Sequence, residues 1–176
     1  MTKTKWVTDP AHSEISFKVK HMMIANVTGN FEKFELNAET DGDDFKNANV
    51  SLIADVSSVH TKNEQRDNHL KGADFFDAEN HPHIRFEADN ISLEPGEHEV
   101  TGNLTIRNTT LPVTVKVEYT GTGVDPYGNT KAGFSIEGKV KRKDFGLTWN
   151  VPLEGGGVLV SEDVKIIGEF QLVKQQ

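Results

Sequence analysis

The chain contains no cysteine. That removes disulfides, zinc–thiolate centres, iron–sulfur clusters and thiol nucleophiles from consideration. Long apolar runs are missing too. Glycine aside, the longest is Met22-Met23-Ile24-Ala25, against the roughly 20 residues that a membrane-spanning helix needs. The first ten residues hold no apolar stretch of the kind that marks a secretory leader, so a cytoplasmic location is expected. Positive charge is in deficit. Nineteen Lys and Arg stand against 27 Asp and Glu, a formal net charge of −8. An acidic chain repels polyphosphate and anionic surfaces. Nucleic acid is therefore not an expected partner, and membrane contact is transient at most.

What the chain does have is alternation. Ile15, Phe17 and Val19 alternate with Ser16, Lys18 and Lys20. The same period of two recurs at Phe34-Leu36-Ala38, Val50-Leu52-Ala54-Val56, Ile84-Phe86, Leu104-Ile106, Val113-Val115-Val117, Phe134-Ile136 and Val164-Ile166-Gly168-Phe170-Leu172. Apolar residues on one side and Lys, Glu and Thr on the other mark half-buried antiparallel strands. Turn residues at Asp41–Asp44, Glu94–Gly96 and Asp125–Asn129 separate the runs at hairpin spacing. The pattern predicts an all-β chain of about eight strands, a barrel or sandwich, in one domain over residues 1–176. A barrel of this size is either filled by its own side chains or just wide enough for one small ligand. Phe17, Phe31, Phe34, Leu52, Phe86, Phe134 and Phe170 are the candidate inward residues, joined by Val19, Ala54 and Ile136 on the same faces.

One segment breaks the alternation. From Thr61 to Lys71 it reads as a short helix, with Thr61 as N-cap, Glu64 three residues on and Gly72 as terminator. The aromatic pair Phe75-Phe76 follows and is expected to plug or edge the barrel cavity.

Several constellations invite chemistry and are better explained structurally. His12-Ser13 near Asp9 is not a hydrolytic triad, because neighbouring strand residues point to opposite faces. His81-Pro82-His83 has ligand-like spacing, but Pro82 favours a turn and no metal motif surrounds it. Gly155–Gly157 precedes Val158-Leu159-Val160 rather than a helix, so it reads as a hairpin tip and not a phosphate loop. Lys139, Lys141, Arg142 and Lys143 form a basic patch, either a solvated strand end or an anion contact at a barrel mouth. Arg66-Asp67-Asn68-His69 is the densest polar group. It is read either as a network pinning the helix to the barrel or as a head-group site.

These motifs in this order resemble the YceI-like family of polyisoprenoid-binding, lipocalin-like proteins. The resemblance begins with Trp6–Ser13, Phe17–Met22 and Val27–Phe31. Its most specific part is Thr61-Lys62-Asn63, Arg66–Leu70 and Asp74–Ala78, followed by Gly102–Arg107, Arg142–Leu147 and Asp163–Ile166. Asn108 stands where the family has Gly after its Leu-Thr-Ile-x segment, and Asn tolerates a left-handed conformation. The resemblance implies an extended, eight-stranded antiparallel, lipocalin-like barrel with a short helix between strands. It implies an apolar tunnel for a long isoprenoid or similar lipid, such as a polyprenyl chain or isoprenoid quinone. A binding or carrier role follows, often as a homodimer, with no catalytic residues, no metal and no cofactor beyond the lipid. Phe75, Phe76 and Phe145 join the expected cavity wall. Arg66 and His69, three residues apart on one helical face, are the expected head-group contacts. Asp67 would orient them, and Arg142 would add a second positive charge. A cavity enzyme acting on a small lipid and a ligand-free dimeric module are the rival readings.

Overall fold

In the computed structural model, which describes residues 3–154 and 158–175, nearly every alternating run is a strand. The strands are β1 (Lys3–Thr8), β2 (Glu14–His21), β3 (Ala25–Phe31), β4 (Phe34–Asp41), β5 (Ala48–Asp55) and β6 (Val59–His60). After α1 (Glu64–Lys71), the one α-helix among the described residues, come β7 (His83–Ile91), β8 (Gly96–Ile106), β9 (Thr109–Val124), β10 (Thr130–Lys141) and β11 (Val160–Lys174).

Eight of these strands, in the order β1-β4-β5-β7-β8-β9-β10-β11, form an antiparallel ring that the β1–β11 pairing closes. The membership differs from the sequence expectation, which included β2 and omitted β1. β11 is long enough to hold both. It pairs with β1 through Leu172–Lys174 and with β2 from Val160 to Glu169. The two strands are one run along β11, interrupted by a 3-10 turn at Pro10–His12. Pro10 has no N–H to give a ladder, and Asp9 Oδ1 accepts the N–H of Ala11 at 3.1 Å. Beyond that turn, β3 and β6 extend the sheet from β2. Gly29 on β3 is required there, since a Cβ would lie 2.4 Å from the Phe17 ring and 2.9 Å from Thr61 Cγ2.

Two details of local structure differ from expectation. The cap of α1 is Asn63, whose side chain accepts the N–H of Arg66 at 3.0 Å. Lys62 sits at φ 63° and turns the chain away from the helix axis, so Thr61 cannot cap. Between β8 and β9 the left-handed residue is Arg107 (φ 57°), not Asn108.

One end of the ring is solid. Trp6 is fully buried and packs on Phe45 at 4.9 Å between ring centroids. Phe45 meets Phe134 at 4.9 Å, and Tyr119 stacks on Phe134 at 4.9 Å and 13°. The indole N–H of Trp6 donates to Thr40 Oγ1 at 3.0 Å, and Thr40 donates onward to the Gly42 carbonyl at 2.7 Å. Each of these rings contributes about 2–3 kcal/mol by leaving water, with no polar atom left unpaired along the Trp6–Thr40 chain.

Candidate functional site

The other half of the barrel is hollow. Inward side chains of the strands enclose a cavity of about 480 Å³ with an almost wholly apolar wall. That lies within the ~300–1,000 Å³ of small-molecule sites. Lateral rows build the wall, as in Leu52–Phe86–Leu104 across β5, β7 and β8. Phe17, Val19, Phe31, Leu52 and Ala54 are on the wall. So are Phe75, Phe76, Phe86, Ile136 and Phe170. Phe76 closes edge-on against Phe31 at 5.9 Å, which fixes the segment after α1 to the barrel.

Phe34, Phe134 and Phe145 belong elsewhere. Phe134 lies in the solid end between Phe45 and Tyr119. Phe34 is inward and half-buried, paired across the sheet with Ala54 and edge-on to Phe170 at 5.8 Å, so it backs two residues of the wall without lining the cavity itself. Phe145 is buried behind the wall, on a 3-10 turn (Arg142–Phe145) that Gly146 ends at φ 82°. The wall also takes residues not singled out from the sequence. Ile84, Leu104, Ile106, Val113, Val164 and Ile166 sit at alternating positions, so the period of two marked them. Leu147 and Trp149 lie in an irregular segment that carries no periodic signal.

The cavity's polar side chains are Asn63, Gln65, Arg66 and His69 on or before α1, Ser16, Lys20 and His21 on β2, and Arg142 on the 3-10 turn after β10. Thr61 is the hub of the helix anchor. Its hydroxyl donates to Asp67 Oδ1 at 2.5 Å, and its N–H reaches the same oxygen at 2.8 Å. The same hydroxyl accepts from Arg66 Nε at 2.8 Å, and the Thr61 carbonyl accepts from Arg66 Nη2 at 2.7 Å. Asp67 is thus buried and off the cavity wall. It reaches Arg66 only through Thr61 and makes no bond to His69, which corrects its expected orienting role. His69 instead bonds Asp74 through Nε2 at 2.9 Å and stands edge-on to Trp149 at 4.7 Å and Phe75 at 5.0 Å.

Arg142 is not part of a solvated basic patch. It is 5% exposed. Its Nε donates to the Ser161 carbonyl, Nη1 to the carbonyls of Leu147 and Trp149, and Nη2 to that of Val160, all within 2.8–3.2 Å. Burial pulls its pKa below the usual arginine value. Lys139 and Lys143 remain at the surface, paired with Asp163 and Glu162 at 3.3 Å each. The glycine run 155–157 lies outside the described residues. An antiparallel bridge between Pro152 and Val158 flanks it.

The triad reading of His12-Ser13 finds no support. His12 Nδ1 bonds Asp9 at 2.9 Å, while the Ser13 hydroxyl contacts the Gln171 backbone on β11. Among the described residues no group of His, Asp and Glu is placed to hold a metal ion.

The YceI-like domain model matches residues 6–172. The chain belongs to the YceI-like family. Among its relatives is a UPF0312 protein of Staphylococcus aureus, 37% identical over 163 residues that cover 92% of this chain and 93% of the relative. The Campylobacter jejuni YCEI protein has a similar structure, with a TM-score of 0.74 and 30% identity over 96% of each chain. Burkholderia cenocepacia BcnA aligns with a TM-score of 0.75 and 27% identity, covering 94% of this chain and 98% of that one. A polyisoprenoid binding domain from Saccharophagus degradans shares the fold at 13% identity, with a TM-score of 0.66 over 97% of this chain and 98% of the other. The closed antiparallel barrel with one short helix is thus the architecture of the YceI-like family.

Proposed function

We propose that the protein binds and carries a lipid with a long apolar chain, isoprenoid or similar, and does not turn it over. The observation that carries this reading is the cavity itself. It stops short of the aromatic end formed by Trp6, Phe45 and Phe134, is apolar along almost all of its wall, and has a few polar side chains, most of them on or before α1 and at the end of β2. An amphiphile fits such a space tail first. The name of the Saccharophagus degradans domain, which has this fold, points to the same ligand class.

Burial of each CH₂ is worth about 0.8 kcal/mol against water. A tail of about 40 carbons would nominally reach about 30 kcal/mol, beyond the roughly 18–21 kcal/mol ceiling for non-covalent affinity. The relevant reference is therefore the bilayer, from which transfer into an apolar cavity is near neutral. Selection then falls to tail length and head group. A methylene occupies about as much space as a water, roughly 30 Å³, so a 480 Å³ cavity encloses on the order of 16 chain carbons. Native mass spectrometry of the purified protein, followed by organic extraction, tests the reading. The expected result is one lipid per chain, recovered chemically unchanged. A protein that takes up no lipid from mixed vesicles would end the carrier reading, and recovery of a modified lipid would favour an enzyme.

A further inference from the structure

We propose that the polar side of the cavity is an anion site, and that the bound lipid carries a carboxylate or phosphate head rather than a neutral quinone, amide or alcohol. This rests on the carrier reading and names the class of its ligand.

The sign of the charges lining the cavity is the first observation. The chain has more acidic than basic side chains, 27 against 19, yet among the described residues every ionisable side chain along the cavity is Lys, Arg or His. These are Lys20, His21, Arg66, His69 and Arg142. Lys20 lies on the outward parity of β2, so it adds charge at the rim rather than a donor inside.

The second observation is what the two arginines still have to offer. A guanidinium has five N–H groups. Arg66 gives two of them to Thr61, which clamps one edge, and the other three have no partner among the described residues. A guanidinium held by one edge presents a planar fork matched to a carboxylate or phosphate. Arg142 gives four N–H groups to carbonyls and is nearly fully buried. No carboxylate lies within ion-pair distance of it among the described residues. Four carbonyl dipoles satisfy its hydrogen bonds but leave its net charge, and beside an apolar cavity that charge is weakly screened.

Three carboxylates nearby are already engaged. Asp67 shares the Thr61 hydroxyl with Arg66, Asp74 bonds His69, and Glu162, the acid that favours the charged form of Arg142, pairs with Lys143. None of the three lines the cavity. An anionic head would supply the counter-charge that the cavity lacks, and a neutral head would not.

Matched ligand pairs with identical tails test this on lipid-stripped wild-type protein, by calorimetry or fluorescence displacement. The pairs are geranylgeranyl monophosphate against geranylgeraniol, and oleate against oleyl alcohol. The expected result is that an anion binds at least about tenfold tighter than its alcohol, the ratio one charge-assisted hydrogen bond supports. Preference in the phosphate pair alone assigns a phosphate head, and preference in the oleate pair alone assigns a carboxylate. In Arg66→Gln the ratio narrows to about threefold or less. The wild-type comparison stands whether or not that variant folds. Alcohols that bind as tightly as their anions overturn the anion site while leaving the carrier reading intact. Failure of all four ligands to bind overturns both.

Discussion

At one end of this barrel aromatic rings fill the interior, and at the other they pair along the wall of an open cavity. Both ends draw on the same alternation of inward apolar residues. What separates them is the material added from outside the ring strands. At the solid end, Phe45 comes in from the β4–β5 connection and fills the space between Trp6, Tyr119 and Phe134. At the hollow end the added material is α1 with Phe75 and Phe76. These are held in place by Thr61, Phe31 and Trp149 and form part of the cavity wall. The solid end is packed through its centre, and the hollow end keeps a cavity beside smaller buried clusters around Phe75 and Phe145 and around Phe31.

If that division holds, truncation at the two ends should differ in kind. Phe45→Ala, at the solid end, is expected to lower unfolding free energy by about 3–5 kcal/mol, read by chemical denaturation. A loss below about 1 kcal/mol would show that the aromatic plug is not the anchor. Leu52→Ala, on the cavity wall, already borders open space. Its loss should be smaller, about 2 kcal/mol on the same measurement, and accompanied by a shift in lipid preference toward bulkier tails.

A third, smaller effect sits where β1 passes into β2. Lys131 Nζ holds Asp9 at 2.7 Å and His12 adds a second contact at 2.9 Å. Together they lower the Asp9 pKa from 3.8 to about 2. A carboxylate with a depressed folded pKa stabilises the fold above its unfolded value, and that contribution is lost as pH falls through the folded one. Wild-type stability should therefore drop as pH falls from about 4 to about 2. In Asp9→Asn this part of the acid dependence disappears, at an expected loss near neutrality of about 1 kcal/mol. Identical acid limbs for the two proteins would remove the Asp9–Lys131 pair from the account.

Alternation made the faces legible and left the depths hidden. Phe17 and Phe134 both follow the period of two, and nothing local says that one borders a void and the other a packed ring. Depth depends on Phe45, which lies in a connection with no periodic signal. β1 escaped notice because only Trp6 in Lys-Thr-Lys-Trp-Val-Thr is buried, so its membership of the ring shows only in its pairing with β4 and β11. In the polar group, residue types were legible and partners were not. Asp67 is the expected orienting partner of Arg66 and His69, or all three the parts of a network pinning the helix to the barrel. Thr61 and Asp74 take Asp67 and His69 instead, which the left-handed turn at Lys62 and the segment after α1 make possible. Arg142 reads as one of four cations, at a solvated strand end or at a barrel mouth, because sequence spacing does not reveal the four carbonyls that surround it.

Filling the hollow half tests the division of the barrel most directly. In the double substitution Leu52→Phe with Ile136→Phe, both new rings enter the cavity. Native mass spectrometry of wild type and variant, each stripped and then exposed to the same lipid vesicles, compares uptake. Circular dichroism confirms the fold. Wild type should carry one lipid per chain, and the filled variant should carry almost none while melting at the same or a higher temperature. A folded variant that takes up as much lipid as wild type would contradict the account, because the lipid would then lie somewhere other than the cavity.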